Sequence, residues 1–186
     1  MFSVTPDTYL NLKKRVIDAG YADEIDWADD VKRPKKPWQL AQETIYVICN
    51  SGMKYQIAVK IYDKICDAIK ADIPVIDVFK NKNKARAIQA AWDNRDERFE
   101  MFNSLESEET LIAWFDTLDG IGPITKFHLA KNCGLDVFKP DRHIVRIAKK
   151  YGLTPAQLCE GLATSLGERI GVVDLVLWRA ANLGWI

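Results

Sequence analysis

Helix punctuation constrains this chain more than any other feature. A Ser, Thr or Asp cap or a Pro opens one apolar-periodic segment after another, a Gly follows the end, and strand signals are scarce. The predicted fold class is therefore all-α. Thr5-Pro6 opens a helix carrying Tyr9, Leu10, Leu12, Val16 and Ile17 that stops at Gly20. A shorter acidic segment covers 22–30, and "KRPKKP", Lys32 to Pro37, reads as a linker whose last Pro starts a helix through Ile45, Val47 and Ile48 to about Cys49. Lys54 to Ile69 follows, with Ile57, Ala58, Ile61, Tyr62, Ile65 and Ile69 spaced to fill one face. Further helices are predicted near 84–92, 94–103, 107–118, 123–133, 142–151, 155–166 and 170–182. At 186 residues and 48% hydrophobic content, the chain can build one packed domain or two small lobes sharing a core.

Charge sets limits on partners. The 26 Lys and Arg balance 26 Asp and Glu, so a nucleic-acid role has to rest on local patches rather than on overall attraction. No run of about 18 apolar residues occurs and the N-terminus lacks a signal-peptide pattern, which predicts a soluble, cytoplasmic protein that makes no use of a membrane. Cys49, Cys66, Cys133 and Cys159 are too widely spaced for a zinc or iron-sulfur site and read as buried thiols. With only His128 and His143 available besides, no metal and no cofactor is expected.

The stretch "LDGIGPITKFHLAKNCGLDVFKPDRHIVRIAKKYG", Leu118 to Gly152, carries the chemistry. Leu118 to Pro123 lies between two helical periods and is short enough only for a tight turn. Glycine at 120 and 122 permits positive φ and removes side chains that would block a close ligand, and Pro123 suits a first helical position. Amides at such a helix start favour an anion, although one Gly-x-Gly also fits an ordinary helical hairpin. Asp141 follows Pro140 and precedes an amphipathic segment with Ile144, Val145, Ile147 and Ala148, so it is the predicted N-cap. Capping is a sufficient reason for an Asp there, and the same place offers a rigidly held carboxylate 19 residues beyond Gly122.

"LDGIGPIT" resembles the Leu-x-Gly-hydrophobic-Gly-x-x-Thr hairpin of the helix-hairpin-helix (HhH-GPD) DNA glycosylase superfamily, the endonuclease III-like group. "DRHIVRI" is similar to that family's Asp-x-His-hydrophobic-x-Arg-hydrophobic segment. The likeness covers about 35 residues, and the preceding helices agree only in kind. It implies a two-lobed helical fold with the hairpin motif at 107–134, the Asp helix at 141–151 and a cleft between the lobes where a flipped base meets the Asp. The family's C-terminal four-Cys cluster is missing.

On this resemblance Gly120, Ile121, Gly122 and Thr125, with the amides after Pro123, hold a DNA phosphate, and Asp141 faces the sugar of an extruded nucleotide. Bifunctional members carry a Lys where this chain has Ile124, and Lys126, about 200° further around the helix, should point elsewhere. His128 lies one turn beyond Ile124 and is either a base contact or proton shuttle, or a satisfied interior His. His143 reads as support for the cap. Asn50, Ser51, Gly52, Met53, Lys54 and Tyr55 form either the opposite lip of the cleft or a solvated turn with Gly52 as cap. Of three basic runs, 32–36 and 80–86 read as solvated faces, whereas Lys139, Arg142, Arg146, Lys149 and Lys150 adjoin Asp141 and suit phosphate. Trp92, Trp114, Trp178 and Trp185 read as packing residues.

The implied activity is that of a monofunctional DNA glycosylase without lyase chemistry, acting as a monomer on double-stranded DNA with a modified or damaged base in a bacterial or phage-infected cell. The wording "GPITKFHLAKN" and "KPDRHIVRIA" also resembles a phage branch of the fold that hypermodifies thymine, the α-glutamyl or putrescinyl thymine enzymes and amino acid:DNA transferases. There an amino acid co-substrate displaces pyrophosphate from an activated 5-hydroxymethyl-uracil. A non-catalytic DNA-binding module would need the hairpin and the basic residues but not Asp141.

Overall fold

A computed structural model describes residues 4–186 of the protein. Among the described residues the chain is helical throughout, with no strand. The helices are α1 Pro6–Val16, α2 Ala22–Asp30, α3 Pro37–Asn50, α4 Tyr55–Lys70, α5 Val75–Val78, α6 Lys82–Asp93, α7 Arg95–Ser104, α8 Glu108–Phe115, α9 Thr125–Asn132, α10 Arg142–Lys150, α11 Pro155–Leu166 and α12 Ile170–Asn182. Local chemistry accounts for many of the ends. Thr5, Asn81, Ser107 and Thr154 each accept a hydrogen bond from a backbone N–H three residues on. Thr154 and Gln157 cap one another reciprocally, Pro155 takes the first helical position, and Gly167 closes α11 at φ +66°.

Several expectations need correction. The first helix stops at Val16, and Ile17–Tyr21 forms a π-type turn through Gly20 at φ +91°. Leu10 and Ile17 are exposed, as is Ile57 on α4, because each sits at the edge of its apolar stripe. The short α5 was not anticipated. α8 ends at Phe115 rather than near Leu118, and α9 begins at Thr125, leaving Pro123 in the turn instead of at the first helical position.

The chain divides into two compact units, one made of the segment up to Lys32 with Gly134–Ile186, the other Arg33–Cys133. In the first unit α12 is the central helix. Val172, Val173, Val176, Leu177 and Ala180 are buried against Tyr9, Leu12 and Val16 of α1, Ile144, Ile147 and Ala148 of α10, and Leu158 and Leu162 of α11. Two polar clamps lie at its margin. Glu168 accepts from Tyr9 Oη and Lys13 Nζ, both at 2.7 Å. Arg179, 5% exposed, is paired with Glu24 and lies between the rings of Tyr21 and Trp178.

In the second unit α3 is central, with Leu40, Ala41, Thr44, Ile45, Val47, Ile48 and Cys49 buried among α4, α6, α7 and α9. Phe102 of α7 stacks on Phe115 of α8 at 6.2 Å, extending that core toward the hairpin. All four cysteines are thiols; Cys49, Cys133 and Cys159 are buried and Cys66 is half-buried. No described helix is long and apolar enough to cross a membrane.

Candidate nucleic-acid and catalytic sites

The hairpin joins α8 to α9 within the second unit. Ile121 N–H donates to the Leu118 carbonyl at 3.0 Å, closing a turn in which Gly120, at φ +80°, occupies the third position, as glycine does in a type II turn. Gly120 is also fixed by packing, since a Cβ there would stand 3.0 Å from Ala87 Cβ and 3.1 Å from Ile48 Cγ1. Gly122 is different. Its φ is not positive and a Cβ on it would meet nothing within 4 Å. Neither backbone nor packing requires glycine at 122.

The first turn of α9 is held by Thr125, whose Oγ1 accepts from Gly122 N–H at 2.8 Å, while Lys126 N–H donates to the Gly122 carbonyl at 3.0 Å. This side-chain bridge delays the helix from Pro123 to Thr125. The bridge takes up the Gly122 amide and the turn takes up that of Ile121, so neither of these two N–H groups is a donor for the phosphate that Gly120, Ile121 and Gly122 were expected to hold. The N–H groups of Ile124 and Thr125 are the orphan donors, with no hydrogen bond among the described residues.

Ile124, 41% exposed, projects beside them. Lys126 Nζ is bound to Asp116 at 2.8 Å, so its ammonium is tied to the end of α8. His128, half-buried, meets Tyr46 edge-on at 6.1 Å. Asn50 donates its side-chain amide to the Tyr46 carbonyl at 2.9 Å, which folds it back along α3. Ser51 ends that helix and Gly52 follows at φ +68°, giving the loop the glycine cap that is one of its two sequence readings.

Lys84 is the residue that sequence reasoning missed here. It was assigned to a solvated basic run, yet it is half-buried, its ammonium donates to the Ser51 carbonyl, and burial holds its pKa below the usual lysine range. Ile48 and Ala87, the two residues against Gly120, belong to α3 and α6, so the same two helices support the hairpin and the Asn50–Tyr55 loop. Arg33, from the first basic run, likewise donates to the Phe102 carbonyl at 2.7 Å and covers that ring.

Asp141 belongs to the first unit. The segment leading to it is fastened to the start of α12. Asp136 Oδ1 accepts from Gly171 N–H at 3.0 Å, and buried Asp174 accepts from Lys139 N–H at 3.3 Å. A tight turn over Pro140, with Asp141 N–H on the Lys139 carbonyl at 2.7 Å, then aims the carboxylate at α10. Asp141 Oδ1 accepts from His143 N–H at 2.8 Å and Ile144 N–H at 3.2 Å, so Asp141 is the N-cap its position predicts. Oδ2 carries neither bond; Lys139 Nζ stands 3.8 Å from it. The side chain retains 13% exposure.

Further along α10, exposed Arg142 stands 3.4 Å by Nε from His143 Nε2, and Arg146 donates to the Ile186 carbonyl at 3.1 Å. Burial lowers the pKa of His143, Asp141 opposes this, and Arg142, Arg146 and Lys139 add to it. Among the described residues the buried His143 Nδ1 has no partner. The support His143 gives the cap thus comes from its main chain. The tryptophans pack as expected of half-buried residues, with Arg95 over Trp92, Arg179 over Trp178 and Arg15 over Trp185. Among the described residues no three His, Cys, Asp or Glu side chains converge as a metal site would require.

This arrangement of helices, with a hairpin between α8 and α9 and a capped carboxylate ahead of α10, is the helical DNA glycosylase fold. The crystal structure of Methanocaldococcus jannaschii 8-oxoguanine DNA glycosylase matches it with a TM-score of 0.70 and 17% identity over 96% of each chain. The 8-oxoguanine glycosylase/lyase of the same organism, in complex with a 15mer DNA containing 8-oxoguanine, matches with a TM-score of 0.71 and 17% identity over 94% of this chain and 98% of that one. At that identity the likeness is one of fold. No protein-family model and no curated protein sequence matches the chain.

Proposed function

We propose that the protein is a DNA base-processing enzyme, a monofunctional glycosylase that removes a modified or damaged base from double-stranded DNA without cutting the strand. The observation that carries this reading is the division of labour within Asp141. Oδ1 alone meets both capping N–H groups, so the cap leaves Oδ2 and the negative charge for a second task. A fixed carboxylate beside an anomeric carbon stabilises the positive charge that develops as a glycosidic bond breaks, and can orient the attacking water.

The hairpin supports DNA as partner. Open space at Gly122 lets a phosphate approach, and the orphan N–H groups of Ile124 and Thr125 at the positive end of α9 supply donors for it. Arg142 and Arg146 lie in the helix that Asp141 caps, where they can meet phosphates near the reacting nucleotide. Ile124 in place of the lyase Lys, and the capture of Lys126 by Asp116, argue against Schiff-base chemistry.

The test is mass spectrometry of released bases and of nucleosides after incubation with duplexes carrying damaged bases, 5-hydroxymethyl-uracil or its pyrophosphorylated form, the last with amino acids. Free base from wild type and none from Asp141→Asn is the expected result. An amino-acid-bearing thymine with the glycosidic bond intact would assign the transferase instead. DNA binding with no product on any duplex would leave a binding module.

A further inference from the structure

α3 is largely apolar, yet it carries Glu43 within the run from Leu40 to Cys49. Glu43 Oε2 accepts from Asn132 Nδ2 at 2.9 Å, and Asn132, the last residue of α9, is 4% exposed. Glu43 itself is half-buried, and a carboxyl partly withdrawn from water calls for hydrogen-bond partners. Among the described residues no cation pairs with it and it caps no helix. Among the described residues its second oxygen and the Asn132 amide oxygen have no hydrogen-bond partner, and neither atom is sealed off from solvent.

The neighbours one turn away are aromatic. Tyr46 follows Glu43 by three residues, and its ring meets Tyr62 of α4 at 5.4 Å and His128 of α9 at 6.1 Å, both edge-on. Ile124, His128 and Asn132 succeed one another at four-residue steps, and Glu43, Tyr46 and Asn50 share a face of α3. The two rows run from the hairpin and the Asn50–Tyr55 loop at one end to the Glu43 and Asn132 pair at the other. Glu43, Tyr46, Asn50, Tyr62 and His128 all remain partly open along it. Rings midway and hydrogen-bonding groups at the end are what an extruded base requires.

We propose that Glu43 and Asn132 are the specificity-determining pair of a nucleobase site in the second unit, reading the hydrogen-bonding edge of a base whose ring lies against Tyr46 and His128. This assignment rests on the DNA base-processing reading above. Burial raises the Glu43 carboxyl pKa, against the Asn132 bond, which lowers it. The second carboxyl oxygen of Glu43 and the amide oxygen of Asn132 stand ready for the donors of a base edge, such as N3–H of a uracil ring, N4–H of cytosine or N1–H of a guanine ring.

The experiment uses the full chain carrying Asp141→Asn, so that binding is read without turnover. Fluorescence anisotropy compares duplexes alike except for one base: uracil, 5-hydroxymethyl-uracil, cytosine or 8-oxoguanine. The expected result is a preference of at least about tenfold for one of these duplexes over the others. Adding Glu43→Met reduces every duplex to one common affinity. Should the Met variant fail to fold, Asn132→Leu removes the partner amide and lowers the preference about fivefold. Equal affinity for all four duplexes, or a preference that survives in a folded Met or Leu variant, overturns the assignment while DNA binding stands. No binding to any duplex overturns the DNA reading itself and the assignment with it.

Discussion

Asp141→Asn separates two roles that one side chain combines. The Asn oxygen can still accept from His143 N–H and Ile144 N–H, at 2.8 and 3.2 Å in the wild type, so the cap survives. What is lost is a negative charge at the start of α10, about 0.3–1 kcal/mol of helix-dipole interaction, and the 3.8 Å approach of Lys139, about 0–1 kcal/mol for a pair with one partly exposed partner. The expected stability change is about 1 kcal/mol, which for a chain of this length lowers Tm by roughly 2–4 °C. Asp141→Ala loses the cap as well, a further cost of about 1 kcal/mol. Catalysis should respond in another pattern, because both variants remove the charge and single-turnover base release should fall by about 100-fold or more in each. Calorimetry and single-turnover kinetics on wild type and the two variants make the comparison. Turnover in the Asn variant within a few fold of wild type would refute the catalytic role, and equal melting of the Asn and Ala variants would refute the capping account.

The two hairpin glycines should behave oppositely. Gly120→Ala strains a φ of +80° and presses on Ala87 and Ile48, so it should cost about 1–3 kcal/mol in denaturant titration. Gly122→Asp enters open space, should leave stability within about 1 kcal/mol, and should weaken duplex affinity about tenfold or more by setting a charge against phosphate. Neutralising Arg142 or Arg146 should weaken binding to all duplexes alike and reduce the salt slope by about 1 each, read from affinity against salt concentration. Borohydride should trap no covalent DNA adduct. If one forms, Lys84, whose pKa burial lowers, is the first amine to replace, ahead of Lys126, which Asp116 holds. Folding favours the neutral form of Glu43, so that contribution is present below the ordinary carboxyl range near about 4.3 and is lost as pH rises through the raised folded value. Glu43→Gln cannot ionise, and its Tm should gain on wild type across that window and then level off; a constant difference would contradict the burial of an ionisable Glu43.

The sequence by itself determined what depends on a few consecutive residues. The cap at Asp141, the bounds of α11 and α12 and the start of α3 at Pro37 follow from bonds that close within one turn and from an apolar period. The family-like spacing of the hairpin and the Asp was legible for the same reason. Tertiary structure decided the rest. Whether Lys84 is solvated or holds Ser51 depends on a residue 33 positions away, and the pairing of Glu43 with Asn132 spans 89. Gly120 and Gly122 look alike in sequence, and only the approach of Ile48 and Ala87 makes one of them structural and leaves the other open. Even the start of α9 departed from its Pro signal, because Thr125 folds back on Gly122 and satisfies an amide before the helix begins. Propensity and capping act through neighbours along the chain, whereas desolvation, close packing and long-range partners exist only after distant segments have met.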